Sequence, residues 1–173
     1  MGERMSFLAR REKGRRMEQA LRQQLAAKLN TRPEAIKFVE LEQSDRIRAA
    51  FFHRWSEFRR LSITDEYHER HESHDRAAVA LMLAEIKRRV SDLLMYLVYE
   101  GAEYAGVVEV SLHRAIDQAL SVCECEGEDL LVTSDNAGVG LTVESFIDRL
   151  APVYCERLRL NWWCECNASL VQS

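Results

Sequence analysis

Val107-Val108-Glu109-Val110 runs directly into Ser111-Leu112-His113-Arg114-Ala115-Ile116-Asp117-Gln118-Ala119-Leu120, and here the hydrophobic period of the chain switches. Three β-branched residues around one Glu predict a strand. From Ser111 onward, Leu112, Ala115, Ile116, Ala119 and Leu120 recur on one helix face, and Ser111 is placed to cap that helix over 112–122. Before this point the chain reads as helices. After it, short strands alternate with short helical patterns. The expected class is α+β: N-terminal helices, then a small β-sheet with short helices.

Downstream, Leu130-Leu131-Val132-Thr133 reads as a second strand and Ser134–Gly140 as a turn. Leu141–Leu150 reads as a short helix carrying Phe146, Ile147 and Leu150, stopped by Pro152. Tyr154–Trp163 alternates, with Leu158, Leu160 and Trp162 on one side, and predicts a half-exposed strand. Trp162 and Trp163 should then point to opposite faces. Trp163 is accordingly a candidate surface anchor for a partner, or else a residue packed under the N-terminal arm.

Upstream, Ala77, Leu81, Ala84, Val90, Leu93, Leu94, Leu97 and Val98 predict one long central helix over 74–99 on which the sheet packs, ended by Gly101. Residues 61–72 are polar and read as a connector. Ser44 and Asp45 mark the start of a helix over 45–60 with Ile47, Phe51, Trp55 and Phe58 on one stripe. Met17, Leu21, Leu25 and Leu29 give a narrow stripe to a helix over 6–29, weakened by Gly14.

Charge divides the 173 residues in two. Residues 1–60 carry 15 Lys+Arg against 8 Asp+Glu, and residues 61–173 carry 9 against 20. The expected organisation is a basic helical arm (1–60) and an acidic body (61–173) within one compact whole. Arg10, Arg11, Lys13, Arg15 and Arg16 form the densest basic run, suited to phosphates but lacking any interleaved aromatic for base stacking. Glu124, Glu126, Glu128, Asp129 and Asp135 form the acidic counterpart, suited to a basic partner.

No run of about 20 uncharged residues suits a membrane span. The N-terminus has no apolar signal segment, so a cytoplasmic protein is expected. The chain has 47% hydrophobic residues, enough for a core. Five cysteines, an odd count, argue for free thiols. The repeated Cys123-Glu124-Cys125 and Cys164-Glu165-Cys166 would make a four-sulfur zinc site only if two strand ends met. His68, His71 and His74, three apart amid Glu, are the other conceivable metal ligands. His68-Glu69-Arg70-His71 is one residue too short for the HExxH spacing, and the expectation is no bound metal and no cofactor. Nothing marks a nucleophile with its base, or a phosphate loop, so no catalytic residue is expected.

The strand and helix of Val107–Cys123, the run Asp129–Asp135, Gly140-Leu141-Thr142-Val143 with Phe146, and the closing strand Tyr154–Trp163 resemble small bacterial immunity proteins of polymorphic-toxin and contact-dependent inhibition systems. The resemblance implies a cytosolic, non-enzymatic inhibitor that binds a cognate toxin domain as an antitoxin. Its expected contact set is Glu124, Glu126, Glu128, Asp129 and Asp135 with Trp163. The alternatives are a nucleic-acid-associated regulator acting through the basic helix, and another small inhibitor such as a phage-encoded antagonist of host defence.

Overall fold

The computed structural model describes residues 2–60, 68–123, 129–150 and 153–165. The elements are α1 (Gly2–Lys28), a 3-10 turn (Pro33–Ala35), α2 (Leu41–Arg60), β1 (His68–Ser73), α3 (Arg76–Arg89), β2 (Leu94–Val98), α4 (Ala102–Ala105), β3 (Val108–Ser111), α5 (Leu112–Val122), β4 (Leu130–Thr133), β5 (Val139–Leu150) and β6 (Val153–Cys164). The six described strands form one antiparallel sheet in the order β1-β6-β5-β4-β2-β3. The fold class is α+β, as the change of period at Val107 predicts.

Both faces of the sheet are covered. On one face, Leu25 of α1 and Leu29 just beyond its end, Val79, Leu83 and Ile86 of α3, and Leu112, Ile116 and Ala119 of α5 bury alternate residues of every strand from β2 to β6. On the other, Ile47, Phe51 and Phe58 of α2 close over Tyr96, Val98 and Trp163. The basic arm therefore supplies part of each core. It is also stitched to the body by its backbone: Val39 N–H donates to Val107 O, and Glu109 N–H to Lys37 O, which covers the outer edge of β3.

The predicted central helix over 74–99 is two elements. α3, capped by Asp75 accepting from Ala77 N–H, ends at Arg89. Val90 turns extended, and Leu94–Val98 enters the middle of the sheet as β2. The break is held from elsewhere: Asp92 accepts from His113 N–H, and Leu93 O from Leu112 N–H. A strand buried on both faces carries no alternation, so its apolar run merged with the helix stripe before it.

Three further expectations change. Leu141–Leu150 is a strand, part of β5, because Leu141 and Val143 face one core while Thr142 and Glu144 face the other side. The polar stretch 61–72 contains most of β1, whose alternating charges suit a sheet edge. Ser44 lies inside α2, which starts at Leu41, and its buried hydroxyl accepts from Val107 N–H at 2.9 Å. It ties α2 to the sheet and caps nothing. By contrast α5 and β4 begin and end where the sequence places them, and Ser111 caps α5 by accepting from Arg114 N–H.

Candidate functional site

The end of the sheet around the β4–β5 turn is built from three strands. Tyr96 on β2 lies directly between Glu109 on β3 and Thr133 on β4 in the cross-strand register. Its ring belongs to the α2 core and is 9% exposed. Burial raises the Tyr96 phenol above its ordinary value, and the carboxylates of Asp135 and Glu109 push it the same way. The ring is therefore fixed by packing, and it lies in the field of two acids.

The turn itself is rigidly tied. Ser134 N–H donates to Val139 O, and Asn136 Oδ1 accepts from Gly138 N–H. Ala137, at φ 58°, turns its carbonyl to the Trp163 indole N–H at 2.9 Å. Asp135 stands exposed on this turn. Glu165 closes the same corner, donating its N–H to Gly138 O and pairing with Arg54 of α2.

The anticipated acidic set does not stand together. Glu124, Glu126 and Glu128 lie outside the described residues. Asp129 and Asp135 flank opposite ends of β4, on the order of 15–20 Å apart at about 3.3 Å per residue. Asp129 is half-buried and accepts from Ser145 N–H, which fixes the start of β4 against β5. Trp163 is 0% exposed, because α2 covers the sheet face that it occupies. It stacks on Phe51 and packs on Phe58, so it is a core residue and no surface anchor.

The basic run is spread around α1. Arg10 binds both carboxylate oxygens of Asp45 and the carbonyl of Glu103, and its guanidinium is raised by the Asp45 hydrogen bonds. Lys13 lies 3.5 Å over the Tyr104 ring. Arg16 pairs with Glu12 on the solvent side. Arg11 and Arg15 line a cleft of about 530 Å³ between α1 and the start of α2, and Glu18, Glu40 and Glu42 line it too. These five residues present no single stripe to a phosphate backbone, because 3.6 residues per turn distributes consecutive positions around the helix.

The conceivable metal ligands diverge. β1 is a strand, so His68 and His71 point to opposite faces. His68 is buried against Phe58, ring centroids 4.1 Å apart. His71 faces α3 beside Glu69, and the His74 Nδ1 is 2.9 Å from Glu156 O. Cys123 donates its thiol to Val143 O, whereas Cys164 pairs with Val139, four residues along β5, about 13 Å away. Cys125 and Cys166 lie outside the described residues. Among the described residues no group of three or more His, Cys, Asp or Glu is arranged to hold a metal ion.

No protein-family model, curated protein or solved structure matches the chain. No described helix is long and apolar enough to cross a membrane.

Tyr96 and Glu109 are the residues that sequence reading missed here. Both sit in apolar runs read as core. The only available signal was a polar or amphipathic residue at alternate positions of Val107–Val110 and Leu94–Val98. Their convergence depends on β2 lying between β3 and β4, which no local pattern encodes.

Proposed function

We propose that this chain is a non-enzymatic, cytoplasmic protein-binding inhibitor of the immunity type, which neutralises a basic toxin domain through the acid-flanked corner of its sheet. One observation carries the reading: Asp135 stands exposed and Glu109 half-buried at one corner of the sheet, over a Tyr96 ring packed in the α2 core. Carboxylates on a rigid corner steer a basic partner toward it, and the packed Tyr96 ring beneath keeps that corner fixed. The contact set is thereby narrowed to Asp135 among the described acids of the anticipated group, with Glu109 added.

The test is affinity purification of the tagged full chain from its source cell, followed by kinetics with the recovered partner. A basic protein partner is expected. Its association rate should fall about tenfold or more at low salt when Asp135→Lys and Glu109→Lys are combined, and wild type should show the same trend as salt rises. Recovery of no protein partner, or of one whose association ignores both salt and the reversals, would overturn the proposal.

A further inference from the structure

We propose that two copies of this chain associate through the open edge of β1, extending the sheet across a two-fold axis centred on His71. The two edges of the sheet are treated differently. That of β3 is covered by residues 37–39, whereas among the described residues no strand pairs with the outer side of β1. A strand with one unpaired side is a template for another strand.

Three features select a second copy as the occupant. The first is charge. Cross-strand neighbours share a face, so two β1 strands related by a two-fold axis must pair residues of the same parity. Centring on Glu69, Arg70 or Glu72 sets like charges directly opposite each other. Centring on His71 sets Arg70 of each copy opposite Glu72 of the other, twice, and Glu69 opposite Ser73. That register alone among the four avoids a like-charged pair.

The second is the helix above the edge. α3 packs over β1 and β6, and its stripe of Ala78, Leu81, Met82 and Ile86 forms a groove of about 420 Å³ beside Glu69 and His71. Leu81 is 74% exposed there, the most exposed large apolar residue described. The third is spacing. Strands lie about 4.8 Å apart, so a helix seated over β1 and β6 lies about 5 Å from the axis, and the two α3 helices would lie about 10 Å apart. That is the distance at which helices pack. Sheet continuation would thus bring Leu81 against the symmetry-related α3 and bury it. Asp135 and Glu109 lie toward the opposite edge of the sheet, so both copies would keep that corner clear.

The test is the oligomeric state of the full chain by sedimentation equilibrium over a concentration series. A dimer is expected. Leu81→Glu, at a site too exposed to matter to the monomer core, should raise the dissociation constant at least tenfold with unchanged circular dichroism. His71→Cys should give a dimer crosslinked by a short bismaleimide, while Glu109→Cys on the far edge should add no crosslink beyond that of the native cysteines. A wild-type chain that stays monomeric at about 100 µM would overturn the inference. So would a dimer insensitive to Leu81→Glu in which His71→Cys adds no crosslink, since it would form elsewhere.

Discussion

The indole of Trp163 packs against Gly140, its cross-strand neighbour, and occupies the space that a side chain at Gly140 would need. Phe51 and Phe58 press on the ring from above, and Ala137 O receives its N–H. The indole is thus wedged between strand and helix, with its polar atom satisfied.

Gly140→Ala should therefore be destabilising through overpacking, by about 1–3 kcal/mol. In a chain of this length that lowers the midpoint of thermal unfolding by several degrees. Trp163→Leu alone should cost about 3 kcal/mol or more by leaving a cavity. The double variant should cost clearly less than the two together, because the smaller side chain makes room for the methyl group. Strict additivity in a thermal or urea series would contradict the wedge.

Ser44 makes a second junction between the arm and the sheet. Its hydroxyl, 0% exposed, accepts from Val107 N–H, next to the strand edge that residues 37–39 cover. Ser44→Ala strands a buried donor, and the expected cost is about 1–3 kcal/mol. Amide exchange at Val107 should accelerate in the same variant, while exchange at Val132 in the sheet centre should track global stability only. Unchanged exchange at Val107 would remove this role.

What the sequence revealed depended on whether a local pattern had one reading. α5 shows an unbroken helical face behind a Ser cap, and its boundaries were legible to the residue. β4 was bounded by acidic and turn residues and was equally clear. β2 was hidden, because Leu93–Val98 is apolar throughout and follows α3 with neither Gly nor Pro between them. In β5, Phe146, Ile147 and Leu150 mimic helical spacing, and the alternation of Val139, Leu141 and Val143 had to be read from its start to be seen. β1 was hidden for the opposite reason: His-Glu-Arg-His-Glu-Ser has no apolar face of its own, and only its pairing with β6 makes it a strand. The candidate site was the least legible part. Tyr96, Glu109 and Asp135 share one region of the sheet through strand order, a property of the whole sheet.

Charge on the β1 side makes a pH prediction. Glu72 accepts from Arg157 at 2.5 Å and from Arg159 at 2.6 Å, and these hydrogen bonds hold its carboxyl below the ordinary 4.5. A carboxylate depressed in the folded state adds stability that is fully present above the ordinary value and is lost as pH falls through the folded one. The group is partly solvated, so the pairing is worth about 1 kcal/mol or less. Glu72→Gln should accordingly be less stable than wild type near pH 7, and the difference should shrink steadily as pH drops below 4.5. Urea midpoints measured from pH 7 to about pH 2 will show this. A gap that stays constant or widens in acid would assign the effect to packing.

Cys123 offers a chemical readout of the core. It closes α5, is 2% exposed, and donates its thiol to Val143 O at 3.3 Å. Burial pushes that thiol up to about 11, so at pH 8 the thiolate is scarce as well as inaccessible. Thiolate and access together set alkylation rates. Cys155 and Cys164 are only half-buried, on β6. Brief iodoacetamide treatment of the native chain at pH 8, read by peptide mass spectrometry, should modify Cys155 and Cys164 at least tenfold faster than Cys123. In denaturing urea the three should react alike, since only folding distinguishes them. Because Cys123 can open only with the helix-covered face of the sheet, its native labelling should slow further in any variant that stabilises the fold and quicken in Gly140→Ala. Labelling of native Cys123 as fast as Cys164 would mean that α5 does not seal this face.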